Sequence, residues 1–106
     1  MKIYYVYILK CSDDSYYTGI TNNLTRRLTE HNSGLDTSSY TYSRRPLKLA
    51  FYAEFNDPTN AIMLEKRIKG WSRKKKEALI NEDYNELVRL SNLKNNSKKQ
   101  QMVSLR

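Results

Sequence analysis

Tyrosine, arginine, histidine and glutamate can all serve hydrolytic chemistry, and here the candidates are Arg27, His31, Glu65 and the five tyrosines within residues 4–17. Arg27 and His31 are one helical turn apart, so a helix through them puts a guanidinium and an imidazole on one face. Arginine offers a planar fork of donors that matches phosphate oxygens, and the lone histidine can move a proton or donate to phosphate. Taken singly, each also fits a surface arginine and a histidine near a helix C-terminus. The tyrosines likewise suit strand packing at a core edge. For catalysis a phenol needs its pKa lowered from about 10 by a nearby cation or metal, and Arg27 is a candidate cation. Glu65 falls on the Ala61, Leu64, Ile68 stripe that should face a core. A carboxylate there must be paired, lie at the rim of the core or hold a metal. Pairing with Lys69 at i+4 and ligation of a hard divalent cation are the two alternatives.

A second group of residues could bind a polyanion. Lys66, Arg67, Lys69, Arg73, Lys74, Lys75 and Lys76 lie within eleven positions that hold no acid, with Trp71 among them. The run reads either as a solvated helix face beside a core tryptophan or as a contact to a nucleic-acid backbone. Arg44 and Arg45, at the end of a long polar stretch, could extend it. The whole chain of 106 residues carries a net charge of +8, from 19 Lys+Arg and 11 Asp+Glu. Residues 1–93 keep 15 basic against 11 acidic side chains, so their net charge is +4. Charge of this kind favours nucleic acid or an anionic membrane, but also fits a basic protein without such a partner.

The elements that position these groups follow from periodicity and punctuation. Residues 3–11 and 16–20 read as an antiparallel hairpin around the Ser12–Ser15 turn. The first strand is apolar on both faces and should be central. Asn22 or Asn23 caps a helix running to about Asn32, stopped by Gly34. Residues 34–46 read as an exposed loop longer than usual connections. A third strand spans 47–55. Asp57 and Pro58 start a helix to Lys69 or Gly70, Ser72 caps another through Ile80, and Asp83 begins a last short one. The order β-β-α-β-α-α predicts a small α+β fold, a three-stranded antiparallel sheet flanked by helices. We expect one domain over 1–93 and a basic, flexible tail over 94–106. A single cysteine, Cys11, excludes an intrachain disulfide, and there is no Cys/His cluster for structural zinc. No signal peptide or membrane-length segment is visible, which predicts a cytoplasmic setting without a membrane partner or an obligate protein partner.

The combination resembles the GIY-YIG nuclease superfamily over about residues 3–90, and in particular its small stand-alone bacterial members. Tyr5-Val6-Tyr7 stands in the GIY place and Tyr17-Thr18-Gly19 in the YIG place. Asn23-Leu24-Thr25-Arg26-Arg27-Leu28 followed by His31-Asn32 resembles the arginine-bearing helix. Glu65-Lys66-Arg67-Ile68-Lys69-Gly70-Trp71 resembles the segment that carries the metal-binding glutamate. The departures are Tyr5 and Val6 for the first glycine and isoleucine, Thr18 for the second isoleucine, Ile20 where the repair branch has lysine and His31 where that branch has tyrosine. A second, DNA-selecting domain of the kind used by homing and repair members is missing from the pattern. The resemblance implies a metal-dependent nuclease acting on DNA, including branched or single-stranded DNA, with RNA also open. It implies Mg²⁺ or Mn²⁺ on Glu65, with Tyr7, Tyr17, Arg27, His31 and Glu65 as catalytic residues. Arg44, Arg45, Lys66, Lys69, Trp71, Arg73, Lys74 and Lys75 would bind the nucleic acid. The rivals are a nucleic-acid-binding module with little or no cleavage and a basic adaptor for an acidic protein.

Overall fold

The computed structural model describes residues 2–92. Strand β1 (Tyr4–Lys10) and strand β2 (Tyr16–Thr21) form the hairpin, and strand β3 (Lys48–Phe55) joins on the other side of β1. All pairings are antiparallel and the order is β2-β1-β3, so the strand with two apolar faces is the central one. The turn between β1 and β2 is set by Asp13, whose carboxylate accepts from the Ser15 backbone N–H at 3.1 Å and from its hydroxyl at 2.6 Å. Asp14 takes a left-handed conformation there, φ 67°, as a short polar turn residue can.

Helix α1 (Leu24–Ser33) begins where the Asn23 side chain accepts from the Arg26 N–H at 3.0 Å and ends at Gly34, φ 71°. These are the two orphan-satisfying devices expected at helix ends. Its Leu24 and Leu28 pack on Tyr7, Leu9, Cys11 and Leu47, one of the two faces of the sheet. Helix α2 (Pro58–Lys69) is capped by Asp57, which accepts from Thr59 N–H at 2.9 Å, with Pro58 at its first position. It meets all three strands and buries Ala61 and Ile68. Val6, Tyr7, Ile8 and Leu9 are fully buried, so β1 is enclosed from both sides.

Between α1 and β3 the chain is largely the exposed loop its polarity suggests. Within it lies a 3₁₀ turn (Tyr42–Arg44), and Thr41 is buried. The Asn32 side chain closes the loop by accepting from the Leu47 N–H at 2.9 Å and donating to the Leu47 carbonyl at 3.3 Å. Polar composition does not reveal Thr41, whose hydroxyl finds a partner inside, which removes the penalty of burying it.

The chain divides into two compact units at Gly70/Trp71. The sheet, α1 and α2 belong to the first. In the second, α3 (Arg73–Ile80) is capped by Ser72, which accepts from the Lys75 N–H at 3.3 Å, and residues 84–92 form α4. Here Lys75 Nζ lies 4.5 Å over the Trp71 ring and Arg73 pairs with Glu77 at 3.4 Å. The basic tail expected over 94–106 lies outside the described residues. Among the described residues, no helix is long and apolar enough to cross a membrane.

Candidate active site

The site is built on the hairpin. Tyr7 on β1 sits directly opposite Gly19 on β2, and Leu9 sits opposite Tyr17, so Tyr7 and Tyr17 rise from one face of the sheet. The Tyr7 ring crosses Gly19 so closely that a Cβ at that position would lie 2.4 Å from its hydroxyl oxygen. This close approach, and not backbone conformation, is what requires glycine. Gly19→Ala is therefore expected to displace a fully buried ring and destabilise the fold by about 1–3 kcal/mol, measurable as a lowered denaturant midpoint.

Helix α1 brings Arg27 and His31 over the same face. The Tyr7 hydroxyl and His31 Nε2 are 3.0 Å apart, and His31 Nδ1 is 2.9 Å from Thr41 Oγ1. Arg27 also lies against the Tyr7 hydroxyl and, through Nε, donates to Glu30 Oε1 at 3.2 Å. Burial pushes the Tyr7 phenol up to about 12, with the Tyr17 and Glu65 charges adding to the effect and Arg27 opposing it. Burial also holds His31 below its usual 6.5, helped by the Arg27 charge and opposed by Glu30. At neutral pH both groups are uncharged. Arginine can only donate, so Tyr7 accepts from Arg27. In the Tyr7–His31 and His31–Thr41 bonds the imidazole tautomer sets which atom donates. Thr41 Oγ1 in turn lies 3.2 Å from the Ser39 hydroxyl. The result is a continuous chain, Arg27–Tyr7–His31–Thr41–Ser39.

The Tyr17 ring meets His31 edge-on at 5.2 Å and stacks with Tyr40 at 6.1 Å and 23°. Tyr17, Arg27 and His31 line an open cleft of about 370 Å³ with Glu30, Gly34, Leu35, Asp36 and Ser39. Glu65 is not on its wall, yet its carboxylate is close enough to Tyr7 to raise the phenol's pKa. The Glu65 side chain is only 15% exposed and pairs with Lys69 Nζ at 3.2 Å. Among the described residues, no group of three or more His, Cys, Asp or Glu side chains is placed to share a metal. One carboxylate is nonetheless a sufficient protein ligand for a hard cation that keeps several waters and takes further oxygens from a substrate phosphate, as Mg²⁺ does.

Because the folded state depresses the His31 pKa, the unfolded chain binds the extra proton first as pH falls. The stability associated with neutral His31 is complete above about pH 6.5 and is lost as pH drops below it. Thermal melts from pH 7.5 downwards should show this loss, and His31→Gln, which cannot titrate, should flatten the curve over that window.

The remaining sequence candidates take other positions. Arg44 is engaged inside the loop: Nε donates to Asp13 at 3.0 Å, NH1 donates to the Tyr40 carbonyl at 2.7 Å, and the guanidinium lies 3.8 Å over the Tyr40 ring. Arg45 donates to the Tyr42 carbonyl at 2.8 Å and stacks on Tyr42 at 4.6 Å. Both hold the loop together. Lys66 and Lys74 are exposed, and Lys69 is the Glu65 partner. Trp71, Arg73 and Lys75 sit in the second unit as described above. Sequence reasoning missed Thr41 and Glu30. Glu30 was visible as an i+3 carboxylate after Arg27, whereas no periodicity marks Thr41.

The sequence model of the GIY-YIG catalytic domain matches residues 3–78, which include the hairpin, α1, the loop, β3 and α2. The chain belongs to the GIY-YIG family. Its GIY-YIG relatives include UPF0213 proteins of Bacillus pumilus, 46% identical over 79 residues (74% of this chain, 80% of that one), and of Halobacterium salinarum, 44% identical over 78 residues (74% and 100%). Two solution NMR structures are similar. A UPF0213 protein from Bacillus halodurans is 40% identical with a TM-score of 0.50, covering 74% of this chain and 83% of that one. A protein from E. faecalis is 37% identical with a TM-score of 0.57, covering 79% and 88%. The matched span includes the hairpin on which Tyr7 and Tyr17 stand.

Proposed function

We propose that this protein is a cytoplasmic nuclease that uses a divalent metal to hydrolyse phosphodiester bonds, with DNA as its substrate. The observation that carries the reading is the meeting of Tyr17, Arg27 and His31 at one cleft, with the buried Tyr7 hydroxyl bonded to His31 behind them and Glu65 within electrostatic reach. Family membership supports nuclease chemistry on nucleic acid.

The scissile phosphate lies against Arg27, whose remaining N–H groups neutralise charge building on the phosphorus. Glu30 holds the guanidinium in place through Nε. Both nitrogens of His31 and the hydroxyl of Tyr7 are already hydrogen-bonded. Tyr17, on the cleft wall, is therefore the phenol that meets the attacking water and acts as general base. The Tyr7–His31–Thr41 chain stands behind it as the positioning and proton-relay element. Glu65 would hold Mg²⁺ or Mn²⁺; a metal there supplies Lewis-acid stabilisation of a phosphate oxygen and of the leaving 3′-oxygen. In the free protein Lys69 balances the Glu65 charge. The basic residue Lys66 and, in the second unit, Lys74 and Lys75 supply further contacts to the nucleic-acid backbone.

One observation favours the alternative, a nucleic-acid-binding module without cleavage: Glu65 is already neutralised by Lys69. The two readings separate in one assay. Plasmid, single-stranded and branched DNA are incubated with the protein in Mg²⁺, in Mn²⁺ and in chelator. Metal-dependent strand cleavage is expected. Retention of DNA without any cleavage in either metal would replace the nuclease reading with the binding module.

A further inference from the structure

Beyond Arg27, against which the scissile phosphate is placed, the cleft has the wrong chemistry for a second phosphate. Arg27 is its one fixed cation, against two carboxylates, Glu30 and Asp36, while His31 is neutral at pH 7. A second phosphate beside Glu30 and Asp36 would meet local repulsion. What the walls do offer is apolar surface and hydrogen-bond acceptors. Leu35 is 76% exposed at the cleft, far more than an apolar side chain on a small protein needs to be. Tyr17 supplies an aromatic wall with one side already stacked on Tyr40. Asp36 is held rigid, because Oδ1 accepts from the Ser38 N–H at 3.0 Å and the Ser38 hydroxyl at 2.6 Å, which leaves Oδ2 for a ligand. Ser39 adds a hydroxyl. The volume, about 370 Å³, falls within the range of pockets that take small flat ligands.

We propose that this cleft receives an unpaired nucleobase, that of a nucleotide adjoining the scissile phosphate. The base packs between Leu35 and Tyr17, and its exocyclic amine donates to Asp36. Cytosine and adenine carry such an amine on the edge that pairing would otherwise occupy. A base can reach the cleft only when it is unstacked, so the substrate is single-stranded or has an unpaired nucleotide at the cut. This rests on the nuclease reading for the identity of the neighbouring phosphate, but the binding it predicts does not require cleavage.

The test is therefore a binding measurement in chelator on the full chain. Three labelled oligomers of equal length and charge are compared by fluorescence anisotropy: oligodeoxycytidylate, oligodeoxyadenylate and an abasic sugar-phosphate chain. The two base-bearing oligomers should bind about tenfold tighter than the abasic one, at the lower end of what one base–aromatic contact contributes. Leu35→Ala should remove most of that difference without changing abasic binding, and Asp36→Asn should narrow it, with abasic binding holding or rising as the Asp36 charge is lost. Both positions are exposed, so both variants should fold. Equal affinity for all three oligomers, or a difference that survives both substitutions, overturns the proposal. A wild type that discriminates bases yet cuts nothing would leave the cleft assignment standing while removing the nuclease reading.

Discussion

Glu65→Ala should abolish cleavage while leaving DNA binding intact. The expected loss is about a thousandfold or more, since Lewis-acid stabilisation of a phosphoryl transition state amounts to several kcal/mol and each 1.36 kcal/mol is about tenfold in rate. Among the described residues, no group of three or more His, Cys, Asp or Glu side chains could hold the ion in its place. Folding should be nearly unaffected, because the ion pair that is lost is an i,i+4 pair with Lys69 and such pairs contribute only about 0.3–0.5 kcal/mol. Removing Glu65 also frees the Lys69 ammonium, so affinity for DNA in chelator should hold or rise slightly. Single-turnover cleavage and anisotropy on the same preparation check both halves. A variant that loses binding and cleavage together would point to a structural role for Glu65.

Arg27→Ala should reduce cleavage by about a hundredfold to a thousandfold, the cost of removing a donor aimed at developing charge. Arg27→Lys should recover only part of it, because an ammonium cannot donate to Tyr7, Glu30 and a phosphate in one plane. The substitution also has a signature independent of activity. The Arg27 charge depresses the His31 pKa and lowers that of Tyr7. Without it, the His31 pKa should rise toward its ordinary value and the Tyr7 pKa should rise further. Following the His31 ring protons by NMR against pH reads the first of these directly. An unmoved His31 titration would mean that the guanidinium is not held against the Tyr7–His31 pair.

Much of this architecture is written in local chemistry. Asn23, Gly34, Asp57-Pro58 and Ser72 punctuate the helices because capping is decided by one or two residues. β1 declares itself central by being apolar at Val6, Tyr7, Ile8 and Leu9 alike. The i, i+4 spacing of Arg27 and His31 is enough to put them on one face. The illegible part depends on contacts far apart in sequence. Thr41 has no periodicity to mark it, and its buried hydroxyl is partnered by His31 ten residues away. Arg44 and Arg45 look like phosphate ligands in a string of letters. Their engagement with Asp13, Tyr40 and Tyr42 follows from how the loop closes. The need for glycine at position 19 likewise depends on a ring from the neighbouring strand.

The central claim is that residues from α1 and from α2 act on one phosphate as one unit. A double-mutant cycle on Arg27→Ala and Glu65→Ala, read as single-turnover DNA cleavage in Mg²⁺, tests it most directly. Groups that serve one transition state are strongly non-additive, so the double variant should be no slower than the slower single variant. Losses that multiply in the double variant, or a Glu65→Ala protein that cuts at the wild-type rate, would contradict a shared centre.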